Sequence, residues 1–130
     1  MDASVRRLAS GSPYEPVIGY SRAVVAGPWV LVAGTTGTVE GRVVGEGDAY
    51  AQTVQAFRNV EAALASAGAT LADVVQTRMF VTDIARWKEV GRAHRELFGD
   101  IRPVTAMLGV AALIDPAMLV EVEAVAWLER

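Results

Sequence analysis

The stretch DAYAQTVQAFRNVEAALASAGATLADVVQTRMFVTD, residues 48–83, decides the fold class. Asp48 is a short side-chain acceptor at a helix start. Behind it Tyr50, Val54, Phe57, Val60 (or Glu61 beside it) and Leu64 recur at helical spacing, which predicts a helix through Ala67. Gly68 stands where a left-handed C-terminal cap belongs. Residues 70–73 then lead into a strand over residues 74–81, rich in β-branched and aromatic side chains. Asp83 caps a second predicted helix, residues 84–98, with the stripe Ile84, Trp87, Val90, His94, Leu97 and Phe98, and Gly99 closes it.

Strands flank this helix–strand–helix unit on both sides. Residues 1–19 are turn-rich, with a short strand at residues 5–9. Residues 22–26 and 29–33 read as strands joined by Gly27-Pro28. Residues 34–47 are glycine-rich and read as a loop with a short strand at 42–44. They lack the GK[ST] ending of a phosphate loop. Beyond the breaker Pro103, strands are predicted at 105–113 and 118–127, connected through Asp115-Pro116. The order β-β-(β)-α-β-α-β-β predicts one α+β domain, residues 1–130, with two helices on one face of a mixed sheet.

Composition narrows the chemistry. The chain has 130 residues, no cysteine and one histidine, which excludes disulfides, thiolate nucleophiles, Cys-ligated metals and two-histidine zinc motifs. Twelve basic against fifteen acidic residues, and a pI near 5.1, predict no nucleic-acid partner. The hydrophobic share of 52% is high for a soluble chain. No apolar run approaches the roughly 20 residues of a membrane span, so burial in an oligomer is the expected use of that surface. The opening residues MDASVRRLASGSPYEP lack an apolar signal core, and a cytoplasmic location is expected.

Within residues 118–127, Glu121 and Glu123 alternate with Val120, Val122 and Ala124, so both carboxylates share one strand face. A carboxylate on an apolar strand needs a partner or a task. One reading is a general base that activates water; the other is an ion pair with an arginine on a neighbouring strand, or a solvated face. Arg78 is the natural candidate for that pair, or for an anion clamp through its guanidinium fork. Arg102 reads as a surface charge or a second clamp. His94 reads first as a core or interface histidine with one hydrogen bond. Trp29 and Trp87 read as packing residues. The hydroxyls of Ser21, Thr35 and Thr36 fall at strand ends, where sites gather.

Several of these segments together resemble the Rid family, also called the YjgF/YER057c/UK114 family. They are Ile18-Gly19-Tyr20, Ala33-Gly34-Thr35, Gln52-Thr53 with Phe57-Arg58-Asn59-Val60, residues 73–83, Arg102-Pro103, and residues 120–124. The resemblance runs from about Leu8 onward. It implies a chorismate-mutase-like protomer and a homotrimer whose sheets form a central barrel with helices outside. It also implies a small-molecule ligand cleft at each subunit interface. Members of its best-known branch hydrolyse enamines and imines such as 2-aminoacrylate to 2-oxo acids and ammonia, without cofactor or metal.

Carried over by position, the family's water-handling glutamate matches Glu121. Its Ser-Gly pair matches Ala33-Gly34, and its N-terminal tyrosine matches Tyr20, or Ser21 if the register shifts. Thr35 and Met107 fall among the ligand-lining positions, Met107 where the family has a cysteine. The family's asparagine in the second helix becomes Gly91. The substrate arginine is missing: alignment on Pro103 puts Thr105 there, and counting back from Glu121 puts Ala106. A charge-assisted fork contact is worth about 1.5–3 kcal/mol, so carboxylate binding falls roughly ten- to a hundred-fold without it. Arg78 or Arg102 are candidates to replace it. The resemblance therefore implies an arginine-lacking branch. The chain is either an enamine/imine deaminase with Glu121 handling water or a small-molecule-binding trimer without turnover. The older family labels of ribonuclease or translation inhibitor fit the acidic pI poorly.

Overall fold

A computed structural model of the chain describes residues 5–129. Six strands form one sheet in the order β1-β2-β3-β8-β6-β7. They are β1 (Val5–Leu8), β2 (Ala23–Ala26), β3 (Trp29–Thr36), β6 (Val74–Val81), β7 (Val104–Gly109) and β8 (Val120–Trp127). All neighbours pair antiparallel except β6 with β7. That parallel pair is joined through helix α2 (Trp87–Phe98), the crossover that parallel strands require. Helix α1 (Ala49–Ser66) packs beside α2 on the same face. The mixed sheet with two helices on one face is the predicted arrangement.

The local signals explain the element ends. Asp48 accepts the Ala51 N–H, and Gly68 follows α1 at φ +84°. Gly27 makes the β2–β3 turn at φ +59°. The glycine-rich segment carries a small hairpin, β4 (Thr38–Val39) with β5 (Arg42–Val43). Strand β3 runs three residues past its predicted end, and β7 is shorter than predicted, stopping at Gly109. Asp83 caps a single 3₁₀ turn, Ile84–Arg86, so the α-helix itself begins at Trp87. Gly99 has an ordinary right-handed conformation rather than a left-handed one.

The core lies between the helices and one face of the sheet. Phe57, Val60 and Leu64 meet Val90 and Phe98 above Val30, Val32, Met79, Val81, Val120 and Val122. Each such buried side chain contributes about 1.5–3 kcal/mol. Phe57 meets Phe98 edge-to-face at 5.1 Å between ring centres. The predicted helix stripes are corrected at two places. Tyr50 and Val54 are only half-buried, while Gln52, Thr53 and Ala56 occupy the buried face of α1. Ile84 and Trp87 are exposed, at 49% and 53%. Gln52 tolerates full burial because it is fully partnered. Its Nε2 donates to the Gly45 and Ala117 carbonyls and its Oε1 accepts the Leu119 N–H. No helix among the described residues is long and apolar enough to cross a membrane.

Among the described residues the sheet's other face carries no helix. Leu31, Val104, Leu108 and Trp127 are 43–68% exposed on or beside it. Trp29 and Trp127 pack edge-to-face at its end, 4.8 Å between centres, as packing residues.

Candidate active site

The strand alternation holds on β8. Val120, Val122, Ala124 and Ala126 are buried under the helices, and Glu121 and Glu123 are half-buried on the open face. Glu121 lies between Thr36 on β3 and Phe80 on β6, and Glu123 lies beside Arg78 on β6. Arg78 makes the ion pair, with Glu123 rather than Glu121, at 2.8 Å. The Arg78 side chain is 52% exposed, so the pair adds at most about 1 kcal/mol.

A β-bulge sets the position of Glu121. Val32 pairs with Ala124 and Thr35 with Val122, so Ala33 and Gly34 together oppose Glu123 alone. The extra residue lays the Gly34 backbone against the Glu121 carboxyl group. A Cβ at Gly34 would lie 2.8 Å from Glu121 Oε2 and 2.9 Å from its Cδ. Only glycine allows that approach without moving the carboxylate.

Arg22, immediately before β2, ties this corner together. Its NH1 donates to the Gly34 carbonyl at 2.7 Å and to Thr35 Oγ1 at 3.0 Å. Its NH2 donates to the Tyr20 phenol oxygen at 3.1 Å. Its Nε lies 3.7 Å from Glu15 Oε2, with both side chains largely buried. Glu15 in turn accepts the backbone N–H and the hydroxyl of Ser10. Residues Glu15–Gly19 form one π-type turn, closed by the Tyr20 N–H on the Glu15 carbonyl.

These bonds determine which groups remain for a ligand. The Thr35 hydroxyl, 5% exposed, donates to the Ala33 carbonyl and accepts from Arg22, so its proton is already placed. The Tyr20 phenol accepts from Arg22, which leaves its own proton for the open side. Burial pushes the Glu121 carboxyl above its ordinary value, the neighbouring Glu123 charge adds to this, and Arg22 opposes both. Tyr20, Arg22, Gly34, Thr36, Glu121 and Glu123 line part of one groove of about 860 Å³. That volume accommodates a small organic molecule. Among the described residues no cluster of three or more His, Cys, Asp or Glu is placed to hold a metal ion.

The family profile described as Endoribonuclease L-PSP matches residues 11–128. A crystal structure of Rv2704 from Mycobacterium tuberculosis, a member of the YjgF/YER057c/UK114 family, superposes with a TM-score of 0.87 at 55% identity. It covers 96% of this chain and all of that one. The chain belongs to the Rid family. It is also 45% identical to an uncharacterized protein of Streptomyces coelicolor, over 95% of this chain and 92% of that protein. It is 32% identical to the 3-aminoacrylate deaminase RutC of Acinetobacter baylyi, over 92% of this chain and 94% of that enzyme.

Of the positions that the Rid resemblance singles out, Tyr20, Gly34, Thr35 and Glu121 come together in one corner. Arg78, Thr105 and Met107 do not join them within the protomer. Thr105 pairs with Thr77 and Met107 with Met79, which places both on the helix-side face at the β7 edge. The Thr77 hydroxyl donates to Thr105 Oγ1 at 2.7 Å and lies 2.8 Å from His94 Nε2. His94 is thus the predicted histidine with a hydrogen bond, packed against Phe57 and Phe98. Ala106, the alternative register for the missing arginine, lies beside Arg78 on the open face. Arg102 donates to the Gly99 carbonyl from a loop residue at φ +55°.

The guanidinium beside Glu121 is therefore Arg22, which the sequence reading left out, together with its partner Glu15. Period-two spacing was the available signal. Residues 20 and 22 stand two apart, and their side chains meet through the Arg22 bond to the Tyr20 phenol.

Proposed function

We propose that the Glu121 groove hydrolyses the C=N bond of an imine, or of an enamine through its iminium tautomer. The observation that carries this is the half-buried Glu121 carboxyl, raised above its ordinary value and laid against the Gly34 peptide. Water attacks the iminium carbon while Glu121 takes one of its protons. The resulting carbinolamine receives that proton on nitrogen, ammonia leaves as the C=O bond forms, and the hydroxyl proton passes by way of Glu121 to the departing ammonia. The sum is iminium plus water giving carbonyl compound plus ammonium. A positioned base of this kind is worth roughly 10²–10⁴-fold. The free Tyr20 proton is a donor for the developing hydroxyl or carbonyl oxygen. Likeness to the RutC 3-aminoacrylate deaminase supports the reaction class.

The proposal includes a homotrimer. The apolar helix-free face, with Leu31, Leu108 and Trp127 exposed, supports burial of that face around a barrel. Thr105, Met107 and Arg78 act as ligand-binding residues in this reading only if a neighbouring protomer brings them to the groove. The test is semicarbazide trapping of an imine formed in situ. The protein should lower the trapped yield and release ammonia faster than buffer, and Glu121→Gln should not. Wild type matching buffer would remove the reading.

A second reading, binding without turnover, is favoured by the absence of an arginine at Thr105. It predicts ligand-raised melting temperatures with no ammonia release. The acidic groove lining, Glu40, Asp115, Glu121 and Glu123 against Arg22, gives a polyanion such as RNA little to hold.

A further inference from the structure

We infer that the Glu121 groove selects an amine-derived ligand that carries no carboxylate: a neutral imine or enamine, held as its iminium cation. This rests on the C=N hydrolysis reading and adds to it the charge class of the substrate. Among the described residues lining the groove, Arg22 is the one cation, against Glu40, Asp115 and Glu121, with Glu123 already paired to Arg78. Arg22 makes a poor clamp. Both NH1 hydrogens go to Gly34 and Thr35 and one NH2 hydrogen serves Tyr20, which leaves a single NH2 hydrogen and no free two-pronged fork, while Nε faces Glu15, which balances its charge from behind. Arg78, on the same sheet face, is balanced by Glu123.

Within the protomer an entering carboxylate therefore meets acids and no guanidinium whose charge is unbalanced. It loses water without gaining a charged partner, which disfavours it. An iminium cation meets the opposite situation. Its N–H groups face the Glu121 carboxylate, and the surrounding acids favour its protonated state over the neutral imine. Since only the protonated C=N is readily attacked by water, the same charges that select the ligand also prepare it for reaction.

The experiment compares two imines that differ only in this group. 2-Iminopropanoate is generated from alanine by an amino-acid oxidase, and 2-iminopropane from isopropylamine by an amine oxidase. Acceleration over buffer is read by semicarbazide trapping. At least ten-fold greater acceleration for 2-iminopropane is expected; equal or greater acceleration for 2-iminopropanoate overturns the inference. If neither is accelerated, the hydrolysis reading fails and calorimetry decides the ligand class by itself. Tighter binding of isopropylamine than of 2-oxopropanoate sustains it, and tighter binding of the anion, or binding of neither, overturns it. Glu40→Gln with Asp115→Asn should reduce the measured preference several-fold, and an unchanged preference counts against the groove charge as its cause.

Discussion

Replacing Arg22 by methionine isolates the corner that holds Glu121. The change keeps most of the aliphatic length and removes the guanidinium. It deletes three hydrogen bonds from a charged donor, to Gly34, Thr35 and Tyr20. It also leaves the Glu15 carboxylate, 6% exposed, without its cation. Removing one member of a buried charge pair costs about 3–5 kcal/mol; Glu15 keeps its two bonds from Ser10, which sets the expected loss at the lower end of that range, and the hydrogen-bond losses overlap with that figure rather than adding to it. Out of a total stability of about 5–15 kcal/mol, this is a large fraction. Urea unfolding at one fixed protein concentration should show the loss as a lower midpoint at unchanged slope. In a Glu15→Gln background the same substitution should cost at least ~1 kcal/mol less, because the stranded charge is gone. By NMR titration the Glu121 carboxyl should move further up, since Arg22 is the charge that opposes its rise. A loss below ~1 kcal/mol in the single variant, with no coupling to Glu15, would refute the assignment of Arg22 as the organising residue.

Three other outcomes are expected. Glu121 has a folded value above its ordinary 4.5, so its stabilising contribution is complete below that value and is lost as pH rises through the folded one. Glu121→Gln should therefore melt higher than wild type at neutral pH, with the difference vanishing in acid below 4.5. Burial holds His94 below its ordinary 6.5, so stability should fall as pH drops through 6.5 toward the folded value. His94→Gln, which retains a partner for Thr77, should flatten that slope in urea midpoints measured on either side of 6.5. Gln52→Leu strands the Gly45 and Ala117 carbonyls and the Leu119 N–H; at about 1–3 kcal/mol for an unsatisfied buried group, calorimetric melting should register a loss of ~3 kcal/mol or more.

The strands were legible because alternation on β8 and the β-branched run of β6 are local properties. The phase of α1 was less so. Hydrophobicity points to Tyr50 and Val54, but the helix turns Gln52 inward. Three backbone partners, at Gly45, Ala117 and Leu119, satisfy the amide there and would be stranded by a leucine. Trp87 was misplaced for a different reason: it opens α2 at an exposed helix end, while Val90, His94, Leu97 and Phe98 keep the predicted phase. At the site, Glu121 and Gly34 were found, and their contact was not, because it depends on a one-residue bulge in β3. Arg22 was overlooked because its partners, Glu15, Tyr20, Gly34 and Thr35, are individually unremarkable in sequence. Thr105 shows the opposite limit. Its position was assigned by alignment, but its side is set by parallel pairing with Thr77, which no local pattern encodes.

Whether Glu121 is the base is decided by a pH–rate profile of imine hydrolysis, read as ammonia release under saturating imine supply. Wild type should gain rate as pH rises through a carboxyl value above 4.5. Glu121→Gln should lose that limb together with about 10²–10⁴-fold in rate. A Glu121→Gln protein that keeps both the full rate and the same acid limb would contradict the assignment.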